Sequence, residues 1–100
     1  MSFQIEISDA ASNDTRKAFL WYEEKSPTLG LRFENDFKQA IDLIRDNPHK
    51  FQVRYKDMHI VFLNHFPFGV HYFIKDSTVV ILAVFHTSQN PATWPTRKVD

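Results

Sequence analysis

The side chains with the clearest capacity for chemistry gather around the end of a predicted strand pair: Asn64, His65 and His86, with Thr87, Ser88, Gln89 and Asn90 just beyond the last strand. Histidine takes and gives protons near neutral pH, and amides and hydroxyls around it can hold a substrate oxygen, so this rim could house a general base. The alternative, which weighs more, is a polar strand end where histidine and asparagine satisfy turn backbone groups. A second group, Arg54 and Lys56 with His59 across a turn, could contact phosphate. Two bases on an edge strand also guard against edge-to-edge aggregation. Histidines 59, 65, 71 and 86 do not make a metal centre. His59 is expected at the far end of the sheet, ~23 Å from the rim at ~3.3 Å per strand residue, and no pair has helical ligand spacing. With no cysteine, glycine-rich phosphate loop, GxSxG elbow or paired-carboxylate motif, no metal and no cofactor are expected.

These residues need a frame to hold them. Phe3, Ile5 and Ile7 alternate with Gln4 and Glu6, which predicts a short strand. Ser8 or Asp9 then caps a helix running to about Lys25, with Ala11, Thr15, Ala18, Phe19 and Tyr22 on one face. Ser26-Pro27 restarts the pattern with serine at the N-cap and proline at the first helical position. Leu29, Phe33, Phe37, Ala40, Ile41 and Ile44 continue as a helical stripe, Glu34–Lys38 forms an outward i,i+4 pair, and Asn47-Pro48 ends the helix. From Phe51 onward the pattern turns to β. Four runs, Phe51 to Tyr55, Met58 to Asn64, Gly69 to Lys75 and Thr78 to His86, are joined by Lys56-Asp57, the aromatic loop His65-Phe66-Pro67-Phe68, and Asp76-Ser77. The predicted fold is α+β: an N-terminal strand, then an antiparallel two-helix hairpin packed on one face of a four-strand antiparallel meander. A two-residue turn at Asp76-Ser77 would set position 86 opposite position 67. Pro91 and Pro95 make residues 87–100 an irregular tail.

One hundred residues support one core and one domain, 1–100. Twelve basic residues balance twelve acidic ones, which argues against affinity won by neutralising many phosphates. Neither a signal-peptide pattern nor a membrane-length apolar run is present, so a cytoplasmic chain is expected. Ten phenylalanines are a large apolar load for this length. Part of that load has no obvious cover. Val79, Ile81, Ala83 and Phe85 share one strand parity while Val80, Leu82 and Val84 share the other, and Met58–Leu63 is also apolar on both. Two consecutive helices shield one face and the tail is too short and broken to bury the other completely, so that face is expected to stay partly open and to bind a partner; the alternative is that the tail, with Trp94, folds back over it. Ile60, Phe62, Phe66, Phe68, Phe73 and Trp94 are the candidate partner-binding residues.

The segment FPFGVHYFIKDSTVVILAVFHTSQNPATW, residues 66–94, resembles the C-terminal half of RelE/ParE-family toxins of bacterial type II toxin–antitoxin modules, also described as plasmid stabilization proteins. The shared features are the Phe66-Pro67-Phe68 turn, the Ala83-Val84-Phe85-His86 strand end, Asn90-Pro91 and Trp94, and the strand and two helices of the first half fit as well. The resemblance implies a growth-inhibiting toxin neutralised by a cognate antitoxin wrapped over its apolar surface.

It also frames the target. The mRNA-cleaving branch of the family places lysines and arginines on the middle strands, an arginine after the last strand, and a tyrosine or histidine near the C-terminus. Here Asn64 and His65 occupy the strand end, Ser88 and Gln89 follow the last strand, and Trp94 cannot move a proton. His65, His86 and Arg54 are the catalytic residues if the chain is a ribosome-dependent mRNA endonuclease. The branch that poisons DNA gyrase works through contacts, and the depleted cations favour it. A catalytically decayed, antitoxin-binding domain is the third expectation.

Overall fold

The computed structural model describes residues 3–89. Strand β1 (Gln4–Ile7) leads into helix α1 (Asp9–Lys25), helix α2 (Pro27–Asp46), a single 3₁₀ turn at Pro48–Lys50, and strands β2 (Val53–Tyr55), β3 (Met58–Phe62), β4 (Phe68–Lys75) and β5 (Thr78–His86). The elements run in the order the hydrophobic periods predict. Ser8 does two jobs at the first junction. Its Oγ accepts the Ala11 N–H (3.1 Å) as an N-cap and donates to the Leu82 carbonyl (3.3 Å), while its own N–H bonds the Ile81 carbonyl (3.0 Å). Ser26 alone separates the helices: its N–H closes α1 on the Tyr22 carbonyl (3.1 Å) and Pro27 opens α2. The Ser26 hydroxyl, expected to cap α2, makes no cap bond and lies 3.5 Å from the Thr28 hydroxyl instead.

The sheet has five strands in the order β1-β5-β4-β3-β2. β2 to β5 form the expected antiparallel meander, and β1 joins it as a fifth strand, parallel to β5, with Ile7 opposite Ile81 at its end. Both helices pack on one face. Ala11, Ala18, Phe33, Ala40, Ile41 and Ile44 meet Val61, Leu63, Val70, Tyr72, Val79, Ile81 and Val84 in the core.

One register shift rearranges the side chains of β5. His71 pairs with Ala83 but Tyr72 pairs with Ile81, so Leu82 is an extra residue, a β-bulge. Beyond it the parity reverses. Val84 joins Val79 and Ile81 on the helix face, and Ala83 and Phe85 join Val80 on the other, so the simple two-residue period misassigns three residues. The bulge also sets His86 opposite Phe68, one residue from the expected position 67.

The sheet face away from the helices is not open at its middle, contrary to the expectation from parity. Met58, Ile60, His71, Ala83 and Phe85 are all buried. Side chains of β2 contribute to this: the Tyr55 hydroxyl reaches over to His71 Nδ1 (2.8 Å), and the Arg54 guanidinium lies 5.7 Å from the Phe62 ring centroid. Among the described residues, the large apolar side chain left exposed on this face is Phe62; Val53, opposite His59 on the helix side of the edge strand, is exposed too, as are Leu20, Trp21, Leu31 and Leu43 on the helices.

The 3₁₀ turn is pinned from the sheet. Fully buried Tyr72 donates its hydroxyl to the Pro48 carbonyl (2.7 Å), and His59, stacked on Tyr72 at 4.9 Å, donates Nδ1–H to the Phe51 carbonyl (2.6 Å). Burial pushes the Tyr72 hydroxyl pKa well above its ordinary 10.0. Tyr72→Phe should therefore cost about 1–3 kcal/mol at neutral pH by orphaning a buried carbonyl. Because the unfolded tyrosine ionises first, the parent should lose stability as pH climbs past about 10, and the phenylalanine variant should lose less over that window. Urea melts at neutral and alkaline pH check both statements.

Candidate functional site

The loop joining β3 to β4 is fastened to α2 by one carboxylate. Asp36, 3% exposed, accepts the N–H groups of His65 (2.8 Å) and Phe66 (3.1 Å) on Oδ2, and its Oδ1 lies 3.2 Å from His65 Nδ1. Leu63 N–H to the Phe68 carbonyl (2.9 Å) and Phe68 N–H to the Phe66 carbonyl (2.8 Å) tighten the same loop. Phe66 of the loop and Phe68 at the start of β4 turn inward, with centroids 5.6 and 5.2 Å from Phe33 and 4.8 and 6.2 Å from Tyr22. Partial burial raises the Tyr22 hydroxyl pKa.

His86 has different surroundings. Its Nδ1 accepts the Ser88 N–H (3.0 Å) and lies 2.7 Å from the Ser88 hydroxyl, so it caps the turn after β5. Its ring stands edge-on to Phe68 at 5.1 Å and lines a cleft shared with Asp14, Lys17 and Trp21 of α1. Asp14 Oδ2 accepts the Val84 N–H (2.9 Å). β5 runs on past the end of β1, and this carboxylate takes the place of the missing strand partner.

Three settings therefore hold the three proposed catalytic residues. His65 faces α2, His86 faces α1, and Arg54 lies on the edge strand β2 over Phe62. Among the described residues, the cleft lined by His86 and the depression lined by His65 are separate, and Arg54 lines neither. Among the described residues, no group of three histidines or carboxylates is placed to hold a metal ion. Of the proposed partner-binding residues, Phe62 is exposed (48%), Phe73 is half-buried on the same sheet face, and Ile60 is buried there. Phe66 and Phe68 pack into the helix-side core, and Trp94 lies outside the described residues.

An open apolar groove of about 560 Å³ runs instead along the helical hairpin. Phe19, Phe37 and Ile41 line it, and its rim carries Arg16 with the ion pairs Glu34–Lys38 (4.0 Å) and Asp42–Arg45 (3.0 Å). Alternating charge around an apolar floor suits an amphipathic partner segment. Sequence reasoning missed this groove and both anchoring aspartates. A signal for the aspartates was present: Asp14 falls between Ala11 and Ala18, and Asp36 between Phe33 and Ala40, at offsets of three and four that put a carboxylate on the core-facing stripe.

Residues 5–91 match the profile of the ParE toxin of type II toxin–antitoxin systems. The Toxin ParE2 of two Mycobacterium tuberculosis strains is 28% identical over 92 residues, 91% of this chain and 88% of that one. In fold, the chain is similar to a solved structure of the chromosomal ParDE toxin–antitoxin system of P. aeruginosa (TM-score 0.76, 13% identity, 85% of this chain and 96% of that one). It is also similar to the toxin–antitoxin complex RelBE2 of M. tuberculosis (TM-score 0.60, 17% identity, 86% and 99%) and to a mutant of the E. coli toxin RelE in the free state (TM-score 0.59, 12% identity, 97% and 95%). No helix among the described residues is long and apolar enough to cross a membrane.

Proposed function

This chain belongs to the ParE toxin family of type II toxin–antitoxin systems, and on that basis we propose that it arrests growth by binding DNA gyrase rather than by cutting RNA. The observation that carries the reading is the separation of His65, His86 and Arg54 into three surroundings. Cleavage of RNA at a 2′-hydroxyl needs a base, a cation for the strained phosphate and an acid for the leaving oxygen, all within hydrogen-bond reach of the same phosphodiester. A poison that acts by contact has no such requirement. A cognate antitoxin is the natural partner of the exposed apolar area, which the hairpin groove and the exposed Phe62 supply.

The test is expression of the chain without its antitoxin, alongside a variant carrying His65→Ala, His86→Ala and Arg54→Ala together. Gyrase poisoning predicts growth arrest, gyrase-linked double-strand breaks on plasmid DNA and intact mRNA. The triple variant, if folded, should remain as toxic as the parent. Ribosome-dependent mRNA cleavage, abolished in the triple variant while supercoiling is untouched, would overturn the reading. Unimpaired growth with the parent chain would leave an antitoxin-binding domain without toxicity.

A further inference from the structure

The five histidines of this chain sit in five settings, and only one is built for nucleophilic chemistry. His59 is buried with Nδ1 donating to the Phe51 carbonyl, and His71 is buried against Tyr55. His86 is the wrong tautomer. Its Nδ1 accepts the Ser88 N–H, so in the neutral ring the proton sits on Nε2 and no lone pair is presented there. His49 is exposed, and among the described residues its one ring contact is with Phe3, at 5.7 Å.

His65 differs from all four. Its side chain is 69% exposed, yet Nδ1 is held 3.2 Å from Oδ1 of a carboxylate that is itself 3% exposed. An acceptor at Nδ1 fixes the proton there and leaves the Nε2 lone pair facing water. The carboxylate is also fixed, since its other oxygen takes two backbone N–H bonds from the same loop. As positive charge develops on the imidazole during attack by Nε2, Asp36 stabilises it without having to move. Besides His65, Asp36 and Phe66, the depression beside this ring is lined by Arg32, Asn35 and Gln39, a cation and two amides that can donate to phosphoryl oxygens.

We propose that the Asp36–His65 pair with Arg32 is a phosphoryl-accepting site, at which His65 Nε2 takes a phosphoryl group from a phosphoramidate or acyl-phosphate donor. With phosphoramidate protonated on its nitrogen, Nε2 attacks phosphorus, the new N–P bond forms as the donor P–N bond breaks, and the leaving group departs as ammonia carrying the three hydrogens it already held. The Nδ1 proton stays in the hydrogen bond to Asp36. The product places a doubly charged group on the β3–β4 loop.

The purified full chain, incubated with potassium phosphoramidate and mapped by mass spectrometry at neutral pH, tests this directly, because His49 is an exposed control in the same molecule. His65 is expected to label about tenfold faster than His49. Asp36→Asn should bring His65 down to the His49 rate. Arg32→Gln should slow labelling by phosphoramidate but leave carbethoxylation by diethyl pyrocarbonate unchanged, which separates phosphoryl recognition from simple nucleophilicity. Equal labelling of His65 and His49 in the parent chain overturns the proposal even if Asp36→Asn fails to fold. So does an Arg32→Gln variant that labels at the parent rate.

Discussion

Phe33→Ala is expected to lower the unfolding free energy by about 3–5 kcal/mol, a large share of the roughly 5–15 kcal/mol that holds a domain of this size folded. Phe33 is 1% exposed and sits where three elements meet: Tyr22 of α1 stacks at 5.6 Å, and Phe66 and Phe68 of the β3–β4 segment stand edge-on at 5.6 and 5.2 Å. Removing the ring deletes its transfer free energy and also opens a void that the remaining rings cannot fill, since Asp36 pins the loop carrying Phe66, and Phe68 is held in β4. Phe62→Ala is the matched control. Its ring is 48% exposed, so the same chemical change should cost roughly 1 kcal/mol or less. Urea denaturation of both variants decides the matter; a Phe33 variant within about 1 kcal/mol of the parent would mean that the aromatic cluster does not close the core.

The same cluster shows where sequence reading succeeds and where it stops. The stripe Phe33, Phe37, Ala40, Ile41, Ile44 places α2 on the core because a period of 3.6 has no other use for apolar residues. The meander is legible for a similar reason: Lys56-Asp57 and Asp76-Ser77 leave too few residues for anything but tight hairpins, and Lys56 and Asp76 do adopt positive φ (48° and 57°). What the sequence conceals is register. Val79 to Val84 are six consecutive apolar residues, so inserting the bulge at Leu82 creates no mismatch between polar and apolar faces that a reader could notice. The expectation of an open sheet face failed for a related reason. It weighed the helices and the tail as the cover and left out side chains, such as Tyr55, that reach across the sheet they belong to. The surroundings of the proposed catalytic rim were hidden for another reason. His65 and His86 do share one end of the sheet, as expected, but the inward-packed Phe66 and Phe68 turn one toward α2 and the other toward α1.

Asp36→Ala should cost about 2–4 kcal/mol, an unusually large loss for deleting a carboxylate. Most surface acids contribute little because water replaces their partners, as the exposed pair Glu34–Lys38 illustrates. Asp36 is different because its partners cannot move to water without moving the loop. The His65 and Phe66 N–H groups aim at one oxygen, and releasing them would draw Phe66 out of its contacts with Tyr22 and Phe33. The loss should thus combine two orphaned donors with part of the aromatic packing. Asp36→Asn separates these contributions. Its amide oxygen can still accept both N–H bonds, so packing survives while the charge and the acceptor for His65 Nδ1–H are lost, with an expected cost of about 1 kcal/mol. Hydrogen exchange supplies the second reading. In the alanine variant the His65 and Phe66 amides should exchange far faster than those of central β4, whereas in the asparagine variant they should stay protected. If alanine and asparagine were equally mild, or if the loop amides were protected without any side-chain acceptor at position 36, the loop would owe its place to the phenylalanines alone.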